Sequence, residues 1–208
     1  MRVYHLSAEC YPVAKVGGLA DVVGALPKYQ NIAGLQAAVV MPHYDRKFVH
    51  QNRFDVVFRA TNIFAGKRTD FEVWKEKTDK LGFELYLIHI PGLLDRENIY
   101  SYPDENEQFI AFQLAFLDWI NWSQQTPEII HCHDHHSGLV PFMMAHSAIY
   151  KRLANTPTVF TIHNGQYHGA FSWDKLNYLP EVDMSAAGLL DWSGGINLLA
   201  SAVRCCSA

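Results

Sequence analysis

The chain has 208 residues, 49% of them hydrophobic and 18% charged, with a formal net charge of −4. That profile supports a sizeable core and excludes a disordered or collagen-like chain. The mild acidity, without any Lys/Arg-rich run, excludes the basic face with which nucleic-acid binders neutralise phosphates.

Val3–Ser7 is short and β-rich and predicts the first strand. After a loop, Gly17-Gly18-Leu19-Ala20-Asp21-Val22-Val23-Gly24-Ala25-Leu26 opens a helix, with Leu19, Val22, Val23 and Leu26 on one stripe. Pro27 should kink or end that helix. Ala37–Met41 reads as a buried strand closed by Pro42. Phe54–Ala60 and Phe71–Lys75, either side of the polar Gly66-Lys67-Arg68, read as a hairpin-like excursion. Phe83–Ile90 is a strand ended by Pro91-Gly92, and Leu93–Asp104, without a period, is a loop. Glu105–Ser123 is the strongest helix, its wide apolar face built on Phe109, Phe112, Phe116 and Ile120. A strand over Ile129–Cys132, a helix from about Ser137 to Arg152 and a strand over Thr158–Ile162 follow. The tail, Leu176–Ala208, reads as helical or irregular with a break at Trp192-Ser193-Gly194-Gly195.

Strands alternating with helices predict a single α/β domain, Rossmann-like, with a mostly parallel sheet and helices on both faces. No apolar run approaches the roughly 20 residues of a membrane span, and no apolar segment of the secretory type follows Met1-Arg2. The four cysteines, Cys10, Cys132, Cys205 and Cys206, contain no CxxC pair and suit a reducing compartment. The expectation is a soluble cytoplasmic protein.

In such a sheet, ligands bind beyond the carboxyl ends of the strands, which selects three loops. In the first, Lys15-Val16-Gly17-Gly18, two glycines let a ligand approach the backbone, and the helix that follows offers free N–H groups and a partial positive charge suited to phosphate. The plainer alternative is a tight turn with a solvated lysine. The second loop, His131-Cys132-His133-Asp134-His135-His136-Ser137-Gly138, is rich in imidazole, a common metal ligand. The HxHxDH spacing of metallo-hydrolases does not fit, however, because its Asp position falls on His135 or Ser137. Alternate strand side chains also point to opposite faces, so the cluster cannot all converge, and no metal is expected. Asp134 either presents a carboxylate to substrate hydroxyls or caps a helix, and His131 reads as a buried, hydrogen-bonded histidine. In the third loop, Thr161-Ile162-His163-Asn164-Gly165-Gln166, His163 sits where strand becomes loop, although Asn164-Gly165 is also an ordinary turn signal.

Together these residues resemble the bacterial glycogen synthase and plant starch synthase family (glycosyltransferase family five, GT-B fold). Ser7-Ala8-Glu9, Pro12, Lys15 and Gly17-Gly18-Leu19-Ala20-Asp21-Val22 are similar to its S-x-E-x-x-P-x-x-K-x-G-G-L-A-D-V signature, and Gly24-Ala25-Leu26-Pro27 continues it. Met41-Pro42-His43-Tyr44, the segment His131 to Gly138, and Thr161-Ile162-His163-Asn164 resemble its P-x-Y, H-x-H-D-W-H-x-G-L and T-x-H-N motifs, with His135 in place of the tryptophan.

The resemblance implies transfer of glucose from ADP-glucose to the non-reducing end of an α-1,4-glucan, with retention of configuration and no cofactor. Lys15 and the Gly17 and Gly18 amides would contact the donor's diphosphate and sugar region. Asp134 would bind the glucose or orient the acceptor. His163 would hold a sugar hydroxyl while its carbonyl stabilises positive charge at the anomeric carbon. Asn164 and Tyr100 complete the implied substrate-binding set. The family runs to more than twice this length, so residues 1–208 are expected to form the amino-terminal, acceptor-side domain. The carboxy-terminal nucleotide-binding domain would be absent, and the chain alone would turn over negligibly. Two other readings are a glucan-binding module that stacks sugars on Tyr100, Tyr102, Tyr167 and Trp173, and a metal-dependent hydrolase built on the histidines.

Overall fold

The computed structural model describes residues 1–123 and 126–208. In chain order, the first half comprises β1 (Arg2–Leu6), α1 (Gly18–Ile32), β2 (Gln36–Pro42), α2 (Lys47–Gln51), β3 (Phe54–Phe64), β4 (Lys67–Glu76), β5 (Glu84–His89) and α3 (Glu105–Trp122). The second half comprises β6 (Ile129–His133), α4 (Val140–His146), β7 (Thr158–Thr161), β8 (Ala170–Phe171), β9 (Asp191–Trp192), β10 (Gly195–Asn197) and α5 (Leu198–Cys205). Among the described residues, no helix is long and apolar enough to cross a membrane.

A seven-stranded sheet runs in the order β3-β4-β5-β2-β1-β6-β7. β1 pairs in parallel with β2 and with β6, and the β2–β5 and β6–β7 pairs are parallel too. The expected excursion is a full hairpin: β3 and β4 pair antiparallel, and β4 joins the edge of β5. Its turn falls at Ala65 and Gly66, both with positive φ, one step earlier than the polar Gly66-Lys67-Arg68 suggested.

The two faces of β1 explain the layers. Tyr4 stacks on Trp119 of α3 at 5.6 Å and an interplanar angle of 12°. The next residue, His5, points to the other face and meets Gln30 of α1 at 2.6 Å. Helices therefore cover both faces. α3 is buried on nearly every side from Gln108 to Ile120, because the carboxy-terminal third packs over it. Gln113 accepts the Leu139 N–H at 2.7 Å and Tyr150 donates to Asp118 at 2.9 Å.

Four local expectations are corrected. Pro27 does not end α1, which continues to Ile32. The ring forfeits one intrahelical bond, but it sits on the buried face with Leu19, Ala20 and Val23. Val22, expected on that face, is 41% exposed. The helix expected over residues 137–152 is broken: α4 ends at His146, and Ser147 leaves the helix to donate its hydroxyl to the Glu181 carbonyl. The tail is helical at Leu198–Cys205, but its β9 and β10 join β8, which precedes it, in a three-stranded antiparallel sheet, β8-β10-β9. The Ser193-Gly194 pair, at φ 57° and 84°, makes its tight hairpin turn rather than a helix break.

Candidate functional site

The parallel order changes direction at β1: chain connectivity proceeds through β2 on one side and through β6 and β7 on the other. Loops leaving the carboxyl ends of β1, β6 and β7 diverge there, opening the crevice that such a switch point provides. A cleft of about 650 Å³ occupies it, within the size range of small-molecule sites.

Its first wall is organised by Glu9, at 3% exposure. One carboxylate oxygen accepts the Val16 and Gly17 amides at 2.5 and 2.9 Å, and the other accepts the Tyr100 hydroxyl at 2.7 Å. A buried carboxylate requires such donors, so the Gly17 N–H, expected to face a ligand, is already engaged. The Gly18 amide stands at the first helical position, where an α-helix supplies no acceptor of its own. At both Gly17 and Gly18 a Cβ would meet nothing within 4 Å, and neither has a positive φ. Neither backbone conformation nor packing demands glycine here.

Tyr100 reaches this wall from the 93–104 loop. Arg96 braces that loop with paired bonds to Asp104 at 2.6 and 2.7 Å. The Tyr100 ring stacks on His136 at 5.1 Å, and burial beside Glu9 pushes its phenol pKa up. Of the other proposed sugar platforms, Tyr102 lies under Arg96 and Trp173 donates to Asp191. Tyr167, 63% exposed, lines the cleft.

The opposite wall is stapled by Asp134. Its backbone has φ 56°, a region costly for a non-glycine residue. In that conformation one carboxylate oxygen accepts the His163 amide at 2.6 Å and the Asn164 amide at 3.2 Å. Asp134, His163 and Asn164 all line the cleft.

The histidine motif divides where the strand ends: His131 and His133 lie on β6, and His135 and His136 lie in the turn that follows it. His131 and His133 turn to the α1 face and stack at 4.1 Å. Burial pushes His131 down to about 4 and His133 well below the usual imidazole range. His135 and His136 turn toward the cleft, in contact at 3.7 Å, and burial lowers both. Gly169 makes room for His135, since a Cβ there would lie 2.6 Å from its Cδ2.

Among the described residues, two groups of side chains have donor atoms close enough to share a cation, all within 4.8 Å: His5, His131 and His133, and Glu105, His135 and His136. In the first group the His5 and His133 nitrogens are committed to each other at 3.0 Å. In the second, which lines the cleft, Glu105 already accepts the Ser101 amide, while Nδ1 of His135 and of His136 has no hydrogen-bond partner among the described residues.

Lys15 is not part of the lining. Its ammonium lies 2.6 Å from both oxygens of Asp21, on the surface next to the lining residue Val16. Among the described residues the lining contains no lysine or arginine, but it contains Glu9, Glu105 and Asp134. Glu9 and His136 were not among the sequence-selected candidates. An acid just past the end of the first strand was the available signal for Glu9; the stacking of His136 on Tyr100 had none.

The starch synthase catalytic domain family model matches residues 2–208. A glycogen synthase of Flavobacterium johnsoniae is 52% identical over 208 residues, which are 100% of this chain and 44% of that protein. A glycogen synthase of Halalkalibacterium halodurans is 34% identical, over 98% of this chain and 42% of that protein. The catalytic domain of starch synthase IV from Arabidopsis thaliana, bound to ADP and acarbose, superposes with a TM-score of 0.83 at 26% identity. The match covers 98% of this chain and 43% of that one. The chain thus spans less than half the length of the curated relatives it matches.

Proposed function

The chain belongs to the starch synthase catalytic domain family, and on that premise we propose that it is the amino-terminal, acceptor-side domain of a retaining glucosyltransferase. The reaction carries glucose from ADP-glucose to the non-reducing end of an α-1,4-glucan. The observation that carries this reading is the convergence of Gly18, Tyr100, Asp134, His163 and Asn164 on one cleft at the switch point of the sheet. The ADP and acarbose bound to the Arabidopsis relative support the choice of ligands. The greater length of the relatives supports a second, carboxy-terminal domain as the partner that completes the nucleotide pocket.

Charge divides the work. In the transfer, the bond from the anomeric carbon to the diphosphate oxygen breaks, and the acceptor hydroxyl oxygen bonds the same carbon on the same face. The hydroxyl proton leaves with the diphosphate. Positive charge develops at the sugar carbon and negative charge on the leaving group. A lining of three carboxylates, with the imidazoles of His135 and His136 kept neutral by burial, favours the first and hydrogen-bonds sugar hydroxyls. The diphosphate belongs at the edge, with the Gly18 amide and Lys15, once Lys15 exchanges Asp21 for phosphate. Asp134 orients the sugar and His163 takes a hydroxyl. Holding donor and acceptor together supplies much of the remaining acceleration.

Titration of the chain with maltooligosaccharides and with ADP-glucose, followed by tryptophan fluorescence and calorimetry, tests the assignment. Asp134→Ala and His163→Ala should each weaken binding about tenfold or more, the loss of at least one hydrogen bond, with the far-ultraviolet circular dichroism unchanged. A flat response to both ligands by the unsubstituted chain overturns it.

A further inference from the structure

Behind the cleft a continuous line of hydrogen-bonded imidazoles runs back from His163 through two rings, His133 and His5, that the glucosyl-transfer reading does not use. His163 Nε2 lies 3.0 Å from His133 Nδ1, His133 Nε2 lies 3.0 Å from His5 Nδ1, and His5 Nε2 lies 2.6 Å from Gln30 Oε1. The line enters from the cleft at His163, crosses beneath β6 and β1, and ends on the half-buried Gln30 of α1. His131 flanks it, stacked on His133 and held by the Thr161 hydroxyl at 2.7 Å.

Each contact between two neutral rings needs one N–H and one bare nitrogen. Burial keeps His5 and His133 neutral at pH 7, so each ring has one proton to place. The Gln30 carbonyl oxygen accepts only, which puts the His5 proton on Nε2 and leaves its Nδ1 bare. His133 must then donate from Nε2, leaving its own Nδ1 bare. His163 must donate from Nε2 in turn. One amide oxygen at the far end therefore dictates the tautomer of all three rings.

We propose that Gln30 is a positioning residue that acts through His5 and His133 to hold His163 in its Nε2–H tautomer, leaving Nδ1 as a hydrogen-bond acceptor for a ligand hydroxyl. An acceptor nitrogen takes a sugar hydroxyl and repels a phosphate oxygen, so the line selects the sugar side of a nucleotide sugar or glucan for this residue. The hydroxyl partner rests on the function proposed above; the tautomer does not, since it is set by the protein alone.

Long-range ¹⁵N–¹H correlation spectra of the imidazoles in the ligand-free chain at neutral pH test it directly. The expected pattern is protonated Nε2 and bare Nδ1 at His5, His133 and His163 together. Gln30→Glu, which keeps an acceptor, should preserve that pattern. Gln30→Lys, which offers only donors, should invert all three rings and weaken maltooligosaccharide binding about tenfold, the cost of one mismatched hydrogen bond. A protonated Nδ1 at His163 in the unsubstituted chain overturns the proposal, and so does a Gln30→Lys protein in which His163 is unchanged. The unsubstituted chain alone decides the first point, so a poorly folding variant does not rescue the idea. If maltooligosaccharides fail to bind while the tautomer pattern holds, the line stands and the sugar reading falls.

Discussion

Glu9 and Tyr100, 91 residues apart in sequence, share a 2.7 Å hydrogen bond across the cleft wall. Through the same carboxylate, Tyr100 is coupled to the Val16 and Gly17 amides, so the loop after β1 and the loop before α3 are held as one piece. Tyr100→Phe removes a bond to a charged acceptor and should cost about 2 kcal/mol. Glu9→Gln should cost about 3 kcal/mol, because an amide group replaces one acceptor with a donor facing donors. In urea unfolding the double variant should cost clearly less than the sum of the two, the signature of a shared partner. Strict additivity would mean that the two loops are held independently.

The glycines separate into two kinds, and substitution should tell them apart. A Cβ at Gly138 would lie 2.4 Å from the Leu198 carbonyl oxygen, and one at Gly24 would lie 2.5 Å from that of Tyr11. Gly138→Ala and Gly24→Ala should therefore each lose about 1–3 kcal/mol or more by forcing backbone apart. Gly18→Ala meets open space in the first helical turn and should hold or raise the melting temperature, while weakening ADP-glucose binding. Equal ligand affinity in Gly18→Ala and the unsubstituted chain would remove the glycine pair from the binding surface.

The contrast also marks what could be read in advance. Strand composition and the strand–helix alternation placed β1, β2, β5, β6 and β7, and the rule about strand carboxyl ends selected the loops that meet at the cleft. What escaped depends on partners distant in sequence. His5 reads as one more residue of a β-rich segment until folding brings His133, 128 positions away, within 3.0 Å. Pro27 looks like a helix stop because local rules cannot see that its ring is a core residue. At Ser147 the chain leaves the helix and its hydroxyl meets the Glu181 carbonyl, 34 residues on, and the small sheet joins Ile196 of the tail to Phe171 before it. Lys15 was selected for its charge, and nothing local showed that Asp21, six residues on, would hold it.

Asp134 stores strain and spends it on the third loop. Its positive φ is tolerated because one oxygen gathers the His163 and Asn164 amides. Asp134→Ala keeps the unfavourable backbone and loses the staple, which should cost about 2–3 kcal/mol. Hydrogen exchange should accelerate at His163 and Asn164 more than in β7. Asp134→Gly relieves the backbone but not the staple, so it should be more stable than Asp134→Ala with the same loop exchange. If both variants leave exchange at His163 unchanged, Asp134 is not what holds that loop.

Acid should unfold this protein through its histidines before its carboxylates. Burial holds His5, His43, His131 and His135 down to about 4 in the folded state, and it holds His133 and His136 well below the usual imidazole range. An unfolded chain returns each to about 6.5. Below that pH the unfolded state binds protons that the folded state refuses, so stability falls as pH falls. The loss begins near 6.5 and continues to about 4, where the folded groups themselves titrate. Each unit of depression is worth about 1.4 kcal/mol, so the four rings held at about 4 together amount to several kcal/mol, comparable with a domain's typical reserve of about 5–15 kcal/mol. Glu72, Glu84 and Asp104, held low by Arg59, Lys75 and Arg96, add their loss only further down. Urea midpoints measured from pH 7.5 to 4.5 should fall steadily from about 6.5, and His131→Gln, which removes one titrating ring, should flatten the slope. A midpoint constant down to pH 5 would mean that these rings accept protons in the folded state, and the neutral hydrogen-bonded line behind the cleft could not then exist as drawn.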